Sequence, residues 1–328
     1  SGTLRALADG RRYRLCRNQR EYEVCNWLVP AEEPREYCAS CRLNRLIPDL
    51  GEGRNLALWY RIEGAKRRLL YTLYALGLPV TGRDEDPARG LAFEFLADPQ
   101  ATADEFANET APHHRVMTGH RTGVITINIM EAEDSVRERI RTQMNERYRT
   151  LLGHFRHESG HYYWDRLIAD SPWLDSYRVL FGDERADYAD AMQRYYAGGS
   201  PPGWQQSWVS AYASMHPWED WAETWAHYLH MVDTLETAQD FGSSIEGRRL
   251  SAVETARAQA ASGYDATDSF DAVMEDWARL SVALNALNRS MGLPDAYPFA
   301  VAGQALDKLR FIHAVIHSAG ERADLAAG

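Results

Sequence analysis

The segment His157-Glu158-Ser159-Gly160-His161 has two histidines four residues apart, with a glutamate directly after the first. On a helix, residues four apart lie on the same face, so both imidazoles can bind one metal ion. Glu158 then lies beside the metal, where it can take a proton from activated water and return it to a leaving amine. In a predicted helix, this pattern indicates a zinc-dependent hydrolase.

A catalytic zinc usually takes three protein ligands and one water, so a third ligand must come from elsewhere in the chain. The strongest candidate segment runs from His216 to His227, where Pro217 favours the start of a helix. Glu219, Glu223 and His227 follow at intervals of four, among Trp and Ala residues that indicate burial. The spacing leaves the choice among these three open. Three other histidines compete for the metal: His154, His216 and His230.

All four cysteines, Cys16, Cys25, Cys38 and Cys41, lie near the N-terminus, and the last two form a CxxC pair. Two disulfides would explain the cluster and would imply an oxidising compartment. Four thiolates can instead complete a closed, tetrahedral zinc site. We favour zinc, and we therefore expect one structural and one catalytic Zn²⁺ in a cytoplasmic protein.

The elements that must position these residues are mostly helical. Helical patterns cover residues 131–167, with a break expected at Gly153, and residues 217–241. The clearest strand is Thr122–Ile129, in which β-branched residues alternate with Thr and Asn. The sequence thus predicts a helix-rich α+β fold with a small sheet.

The composition of the 328-residue chain, with 45% hydrophobic and 25% charged residues, is typical of a globular protein with a substantial core. We predict a four-cysteine zinc-ribbon-like element at residues 1–50 and a catalytic domain at residues 51–328. The net charge is −11: the N-terminal part is mildly basic and the rest of the chain is acidic. An acidic body argues against a nucleic-acid partner. No apolar segment is long enough to predict a membrane span. Because Ser1-Gly2-Thr3 lacks an initiator Met, we expect the natural N-terminus to lie upstream.

Four stretches of the chain resemble a bacterial family of zinc-binding metallopeptidases that carry an N-terminal zinc ribbon. The stretches are HFRHESGHYYWDRL, FGDERADYADAM, SAYASMHPWEDWAETWAHYLH and NRSMGLPDAYPF. The resemblance covers nearly the whole chain and implies a zincin-like metallopeptidase fold. Zincins often receive peptides along an edge strand, and Thr122–Ile129 is the candidate for that strand.

A second, local resemblance is to the catalytic domain of anthrax lethal factor, a gluzincin. It rests on Tyr212 followed by Glu219 and Glu223. The resemblance implies that Glu219 is the third zinc ligand and that Glu223 supports a ligand histidine. It also implies that Tyr212 stabilises the oxyanion. Glu223 remains the alternative ligand.

The resulting hypothesis is a zinc metallopeptidase in which His157, His161 and Glu219 bind the metal. Glu158 serves as base and then acid, and Tyr212 steadies the developing negative charge. The expected partner is a peptide or protein substrate, and the sequence leaves the oligomeric state open. Two alternatives remain: a non-catalytic zinc-binding module that docks protein or nucleic acid, and a hydrolase of a non-peptide amide.

Overall fold

The computed structural model describes residues 3–97, 118–143, 149–245, 248–253, 266–301 and 303–327. The chain divides into two compact units, one formed by Ser1–Tyr71 with Val80–Phe155 and the other by Thr72–Pro79 with Arg156–Gly328. The boundary expected at residue 50 stays a prediction. Among the described helices, none combines the length and the apolar character needed to cross a membrane.

The first unit begins with a small antiparallel sheet and a short helix. The strands are β1 (Leu4–Arg5), β2 (Arg12–Leu15) and β3 (Leu28–Pro30), in the order β1-β2-β3, and helix α1 spans Arg17–Tyr22. The four cysteines and Val29 form a buried cluster against which Trp27 packs. Strands this short bury little apolar area, so the thiol cluster supplies most of the interior of this part. It is the predicted four-cysteine, zinc-ribbon-like element.

A four-stranded sheet follows in the first unit, in the order β4-β5-β7-β6. Its strands are β4 (Asn44–Leu46), β5 (Ala92–Leu96), β6 (Gly119–Arg121) and β7 (Val124–Asn128). Strand β7 pairs in parallel with β5 and antiparallel with β6, so both of its sides are occupied. The buried side chains of Ile125 and Ile127 explain why the pattern of this strand was recognisable.

The prediction that Thr122–Ile129 forms an open edge is therefore wrong. Thr122 and Gly123 both have positive φ values, 49° and 83°, and they make the two-residue turn of a hairpin. This turn folds β6 back onto β7 and covers the side that we expected to be free. On that side of the sheet, the outer strand is β6.

Helices make up most of the remaining described chain, which confirms the predicted helix-rich α+β class. They are α2 (Asn55–Ala75), α3 (Asp134–Gln143), α4 (Leu151–Tyr163), α5 (Leu174–Phe181), α6 (Tyr188–Gly198), α7 (Pro217–Asp240), α8 (Ala266–Ser290) and α9 (Gln304–Ala327). Strands β8 (Ser244–Ile245) and β9 (Arg248–Arg249) pair antiparallel with each other. The break expected at Gly153 is wrong, because α4 runs through that residue. A helical glycine costs only about 1 kcal/mol relative to alanine, which packing readily offsets.

Helix α7 is the centre of the second unit, where it contacts α5, α8 and α9. The side chains of Trp221, Trp225 and Leu229 on this helix are fully buried. Pro217 occupies the first turn, and the His216 side chain caps the helix by accepting a hydrogen bond from the N–H of Trp218. The predicted start of this helix is thus confirmed.

Candidate metal centre

Helices α4 and α7 cross at very short range within the second unit. A Cβ atom on Gly160 would lie 2.8 Å from the Cα atom of Ala222, so only glycine permits this approach. Indole N–H groups of α7 hold the crossing in place. Trp221 donates to the carbonyl of Gly160 at 2.8 Å, and Trp225 donates to Oγ of Ser159 at 3.1 Å. The middle of the His-Glu-x-x-His motif is therefore fixed against α7.

The crossing brings His157 and His161 to Glu219. Each of these three residues offers a ligand atom, and the three atoms lie within 4.8 Å of one another. Nε2 of His157 is 3.0 Å from Oε2 of Glu219, and Nε2 of His161 is 3.5 Å from Oε1 of the same carboxylate. These side chains are called the ligand group below.

The surroundings of one carboxylate oxygen of Glu219 show whether a cation fits the ligand group. Oε2 of Glu219 is buried and, within the described part of the chain, accepts no well-aligned hydrogen bond. Burial of a carboxylate oxygen without a well-aligned hydrogen bond is unfavourable, and a cation between this oxygen and the two imidazoles would offset the cost. Zinc takes histidine nitrogen and carboxylate oxygen in this combination. The residues therefore fit a zinc ion.

The charged groups around this position perturb one another. Burial by itself would lower the pKa of His157, but Glu219 and Glu223 raise that pKa well above its usual value. Burial would raise the pKa of Glu219, yet His161 and His157 keep it well below the usual range. The pKa of Glu223 is lowered in the same way, against burial, chiefly by His157. Two ionised carboxylates thus face the histidines, an arrangement suited to a divalent cation.

Glu223 lies one helical turn after Glu219 and contacts the opposite nitrogen of His157. Its Oε1 is 2.7 Å from Nδ1 of His157, and its Oε2 accepts a hydrogen bond of 2.6 Å from Oγ of Ser210. Glu223 is therefore placed to orient the imidazole, as carboxylates commonly do for metal-binding histidines. This geometry favours Glu219 over Glu223 as the third ligand, which stays a prediction.

The two predicted catalytic side chains adjoin the ligand group. Glu158 is buried, follows His157 on α4 and does not belong to the group. Tyr212 begins the short turn Tyr212–Ser214, and its ring centre lies 6.2 Å from that of His157. Burial and the negative charge of Glu219 raise the pKa of Tyr212, so its phenol keeps its proton near neutral pH. The catalytic roles of both residues stay predictions.

The four cysteines form the second candidate site, in the first unit. Their Sγ atoms lie within 4.8 Å of one another, all four are buried, and no disulfide joins them. Backbone N–H groups donate to three of the sulfurs at 3.4 Å: Trp27 to Cys25, Cys38 to Cys16, and Cys41 to Cys38. Such bonds stabilise thiolates that bind a metal. The set fits four-thiolate zinc and gives no support to two disulfides.

The family follows from comparison with known proteins. Residues 55–315 match the family described as "Putative zinc-binding metallo-peptidase", and residues 2–52 match a zinc-ribbon domain. The chain belongs to this metallopeptidase family. Uncharacterized proteins of Mycobacterium bovis and Mycobacterium tuberculosis are each 46% identical to it over 314 residues, which span 95% of this chain and 85% of the relative. No solved structure matches it.

In this member of the metallopeptidase family, the ligand group has a neighbour that the sequence analysis missed. Tyr188, the first residue of α6, donates its O–H to Oε1 of Glu219 at 2.9 Å. Burial and the charge of Glu219 raise the pKa of Tyr188. The stretch FGDERADYADAM carried part of the family resemblance, but no spacing within it distinguished this tyrosine. Trp218 was missed as well, and its ring centre lies 4.0 Å from that of His161.

Two of the competing histidines are engaged elsewhere. Nδ1 of His154 lies 3.2 Å from a carboxylate oxygen of Glu131, in the first unit. Nε2 of His216 donates to the carbonyl of Ala186 at 3.0 Å, while its Nδ1 accepts from the N–H of Trp218. Among the described residues, neither histidine belongs to a set of side chains that could bind a metal. His216 is therefore a helix cap and His154 a partner of an acidic side chain.

The other two competitors are buried among aromatic rings. Nδ1 of His227 lies 2.7 Å from the hydroxyl of Tyr297, and the ring of His230 packs against Tyr297 and Trp277. Burial lowers the pKa of His227 to about 4 and that of His230 to about 3. Both rings are neutral at physiological pH, and within the described chain neither joins a metal-binding set.

Proposed function

We propose that the chain is a zinc-dependent metallopeptidase of the gluzincin type, with His157, His161 and Glu219 as the ligands of the catalytic zinc. The observation that carries the proposal is the convergence of three ligand atoms at a buried carboxylate oxygen that accepts no well-aligned hydrogen bond from the described residues. When bound, zinc supplies a Lewis acid for a substrate carbonyl and lowers the pKa of water. Family membership supports the same reaction class.

In this proposal, Glu158 moves the proton. Its carboxylate directly follows the first ligand histidine on α4, lies outside the ligand group and is close enough to Tyr188 to raise the pKa of that residue. From there it takes a proton from the water and delivers it to the nitrogen of the leaving amine. Glu223 orients His157 through Nδ1, which leaves Nε2 for the metal.

Tyr212 supplies the remaining group that the reaction needs. The substrate oxygen gains negative charge as water attacks, and a hydrogen-bond donor aimed at that oxygen lowers the barrier. The raised pKa of Tyr212, caused by burial and by Glu219, keeps the phenol protonated and able to donate. A purely structural zinc site would need neither this donor nor a carboxylate such as Glu158, which is why we favour an enzyme over a binding module.

The four cysteines hold a second, structural zinc in this proposal. A site closed by four thiolates leaves no position for water or substrate, so its contribution is to the stability of the N-terminal element. Four buried thiols without a disulfide favour a reducing compartment, and we propose the cytoplasm.

The test is peptide cleavage by the zinc-loaded protein, followed by mass spectrometry of a diverse peptide mixture. Glu158→Gln keeps the size of the side chain but removes the base, and we expect turnover to fall at least about 100-fold with zinc content unchanged. Glu52→Gln makes the same chemical change at an exposed side chain and is the matched control.

Two outcomes would contradict the proposal. Cleavage that persists in Glu158→Gln would assign the observed activity to another residue or to a contaminant. Absence of cleavage by wild-type protein with a full complement of zinc would remove peptides from the proposed substrates and return attention to non-peptide amides or to a binding role.

A further inference from the structure

The two oxygens of the Glu219 carboxylate have different neighbours. Oε2 lies 3.0 Å from Nε2 of His157 and accepts no well-aligned hydrogen bond from the described residues. Oε1 accepts the O–H of Tyr188 at 2.9 Å. One oxygen is thus left for a cation, while a neutral donor occupies the other.

This difference matters because a carboxylate can bind a metal through one oxygen or through both. A catalytic zinc needs three protein ligands and an open position for water or substrate. If both oxygens of Glu219 bound the metal, the second would compete for that open position. A hydrogen bond to Oε1 reduces its electron density and fixes the plane of the carboxylate, which favours binding through Oε2 alone.

We propose that Tyr188 is a positioning residue that keeps Glu219 bound to the metal through a single oxygen and so preserves the open coordination position. The inference rests on the proposed function, since it concerns the same metal centre. It assigns a role to a side chain that reaches the centre from α6, a helix separate from those that carry the ligand group.

The surroundings of Tyr188 hold its phenol in this place. His216 bridges the starts of two helices, because it donates to the carbonyl of Ala186 just before α6 and accepts from the N–H of Trp218 in α7. The rings of His216 and Tyr188 are in edge contact, with centres 5.2 Å apart. The Asp187 side chain caps α6 by accepting from the N–H of Asp190 at 2.8 Å. The first residue of α6 is therefore fixed relative to the first turn of α7.

The alternative is a tyrosine that only packs. Tyr188 is 37% exposed, so part of its ring reaches solvent, whereas the hydroxyl points to a carboxylate that is 2% exposed. A tyrosine kept for packing alone has no need to direct its hydroxyl to a buried acid. Tyr188→Phe separates the two possibilities, because it keeps the ring and removes only the donor.

The experiment replaces only the zinc at the ligand group with Co²⁺, because Co²⁺ bound by the four cysteines would absorb strongly in the same range. Zinc is kept at the four cysteines, and the visible absorption of wild type, Tyr188→Phe and Tyr60→Phe is recorded. Four-coordinate Co²⁺ absorbs visible light more strongly than five- or six-coordinate Co²⁺, so the spectrum reports how many ligands the metal has. For Tyr188→Phe we expect a fall of about twofold or more in absorption at full metal occupancy, as Oε1 joins the metal. Tyr60→Phe, at a side chain that is 56% exposed, should match wild type.

A peptide-cleavage assay accompanies the spectra. We expect kcat of Tyr188→Phe to fall by about 10- to 100-fold, as is typical for side chains that support a metal ligand, with little change in KM. If the Co²⁺ spectrum of Tyr188→Phe equals that of wild type, the proposal is overturned while the peptidase function stands. A fall in kcat alone would then be assigned to the contact between the hydroxyls of Tyr188 and Tyr212. If wild type cleaves nothing, the peptidase function fails, and the spectra still decide the role of Tyr188.

A double variant checks that the effect acts through Glu219. In Glu219→Gln the side chain has a single ligand oxygen, so adding Tyr188→Phe should leave the Co²⁺ spectrum of that variant unchanged at saturating metal. A further change on adding Tyr188→Phe would overturn the proposal, because it would show that the hydroxyl acts on another group. Loss of Co²⁺ from the single variant Tyr188→Phe, with an unchanged melting temperature, would also overturn it and would assign Tyr188 to metal affinity instead.

Discussion

Glu223 and His157 meet through Oε1 and Nδ1 at 2.7 Å, on the side of the imidazole opposite to Glu219. Two carboxylates one helical turn apart thus contact the two nitrogens of one ring. If the ring donates Nδ1–H to Glu223, the proton on Nε2 is the one that a metal ion would replace, and the lone pair of Nε2 would then bind the metal. The position of each carboxylate along α7 therefore decides its role.

Alanine variants of the two glutamates should differ in metal binding. Glu219→Ala removes a ligand oxygen, and we expect the second unit to lose its zinc during dialysis against a mild chelator. Glu223→Ala removes only the support of His157, so we expect zinc to remain with about 10- to 100-fold weaker affinity. Zinc content and competition with a chromogenic chelator measure both effects. The reverse pattern would exchange the ligand assignment between Glu219 and Glu223.

Ser210 connects the histidine support to the turn that carries Tyr212. Its hydroxyl donates to Oε2 of Glu223 at 2.6 Å and accepts from the N–H of Ala213 at 3.1 Å. Ser210→Ala removes both bonds, and we expect turnover to fall about 10-fold with zinc retained, since Glu223 keeps its contact with His157. Ser210→Thr preserves the hydroxyl and should recover most of the activity.

The matched control for Ser210 lies in the same turn. The hydroxyl of Ser214 donates to the carbonyl of Ala211 at 2.6 Å, so Ser214→Ala also removes a local hydrogen bond. We expect this variant to keep near wild-type turnover. Equal losses in Ser210→Ala and Ser214→Ala would mean that the turn needs its local bonds and that the link to Glu223 has no separate role.

The sequence predicted which residues of the metal centre lie together on each helix taken separately. His157 and His161 follow from a spacing of four, and Glu219 and Glu223 follow from the start of α7 at Pro217. Each inference needs only the period of a helix and a local start signal. The meeting of α4 with α7 depends on the absence of a side chain at Gly160, which has no local signature.

Residues that reach the site from distant segments were missed, and a prediction that depended on strand pairing was wrong. Tyr188 reaches Glu219 from a third helix, and its own neighbours in sequence give no reason to prefer it over other tyrosines. The pattern of β7 identified a strand with a buried face, but alternation within one strand cannot show whether a partner covers its side. The turn at Thr122 and Gly123 was the available signal for that partner.

The zinc content of wild type and of a cysteine variant should distinguish the two proposed zinc sites. Wild-type protein should bind two zinc ions, and Cys38→Ser with Cys41→Ser should bind one, because two thiolates cannot close the four-ligand site. The double variant should melt at a lower temperature, since binding at a structural site contributes to folding. Element analysis by mass spectrometry gives the counts. Retention of two zinc ions, or recovery of disulfide-linked peptides from the native protein, would remove the structural site.

The ionisation of Glu131 should make the free energy of unfolding of the first unit depend on pH. Burial alone would raise its pKa, but His154 and Arg149 lower it to about 2. An unperturbed glutamate titrates near 4.3, so the ionised side chain stabilises the fold by about 3 kcal/mol above that pH. Because the pKa is lower in the folded state, this contribution is lost as the pH falls from about 4 to about 2.

The measurement for Glu131 is the free energy of unfolding of wild type and Glu131→Gln between pH 7 and pH 3. We expect the variant to be less stable by about 2–3 kcal/mol near neutrality, and the gap to shrink toward pH 3. Any loss of metal in acid affects both proteins and cancels in the comparison. A gap that is constant with pH would mean that the variant disrupts packing and that the ionised carboxylate contributes nothing of its own.

Tyr212→Phe tests the oxyanion role with the smallest possible change. The ring of Tyr212 lies 6.2 Å from that of His157 and 5.8 Å from that of Tyr195, so the variant keeps its packing and loses only the phenol hydroxyl. Donors to a developing oxyanion are worth about 3–4 kcal/mol, which corresponds to a fall of about 100-fold or more in kcat with zinc content and melting temperature unchanged. A tyrosine that only packs would leave kcat intact and shift the melting temperature slightly. Unchanged turnover would therefore remove Tyr212 from the reaction and weaken the resemblance to lethal factor, leaving the contacts of His157 as the main support for Glu219 over Glu223.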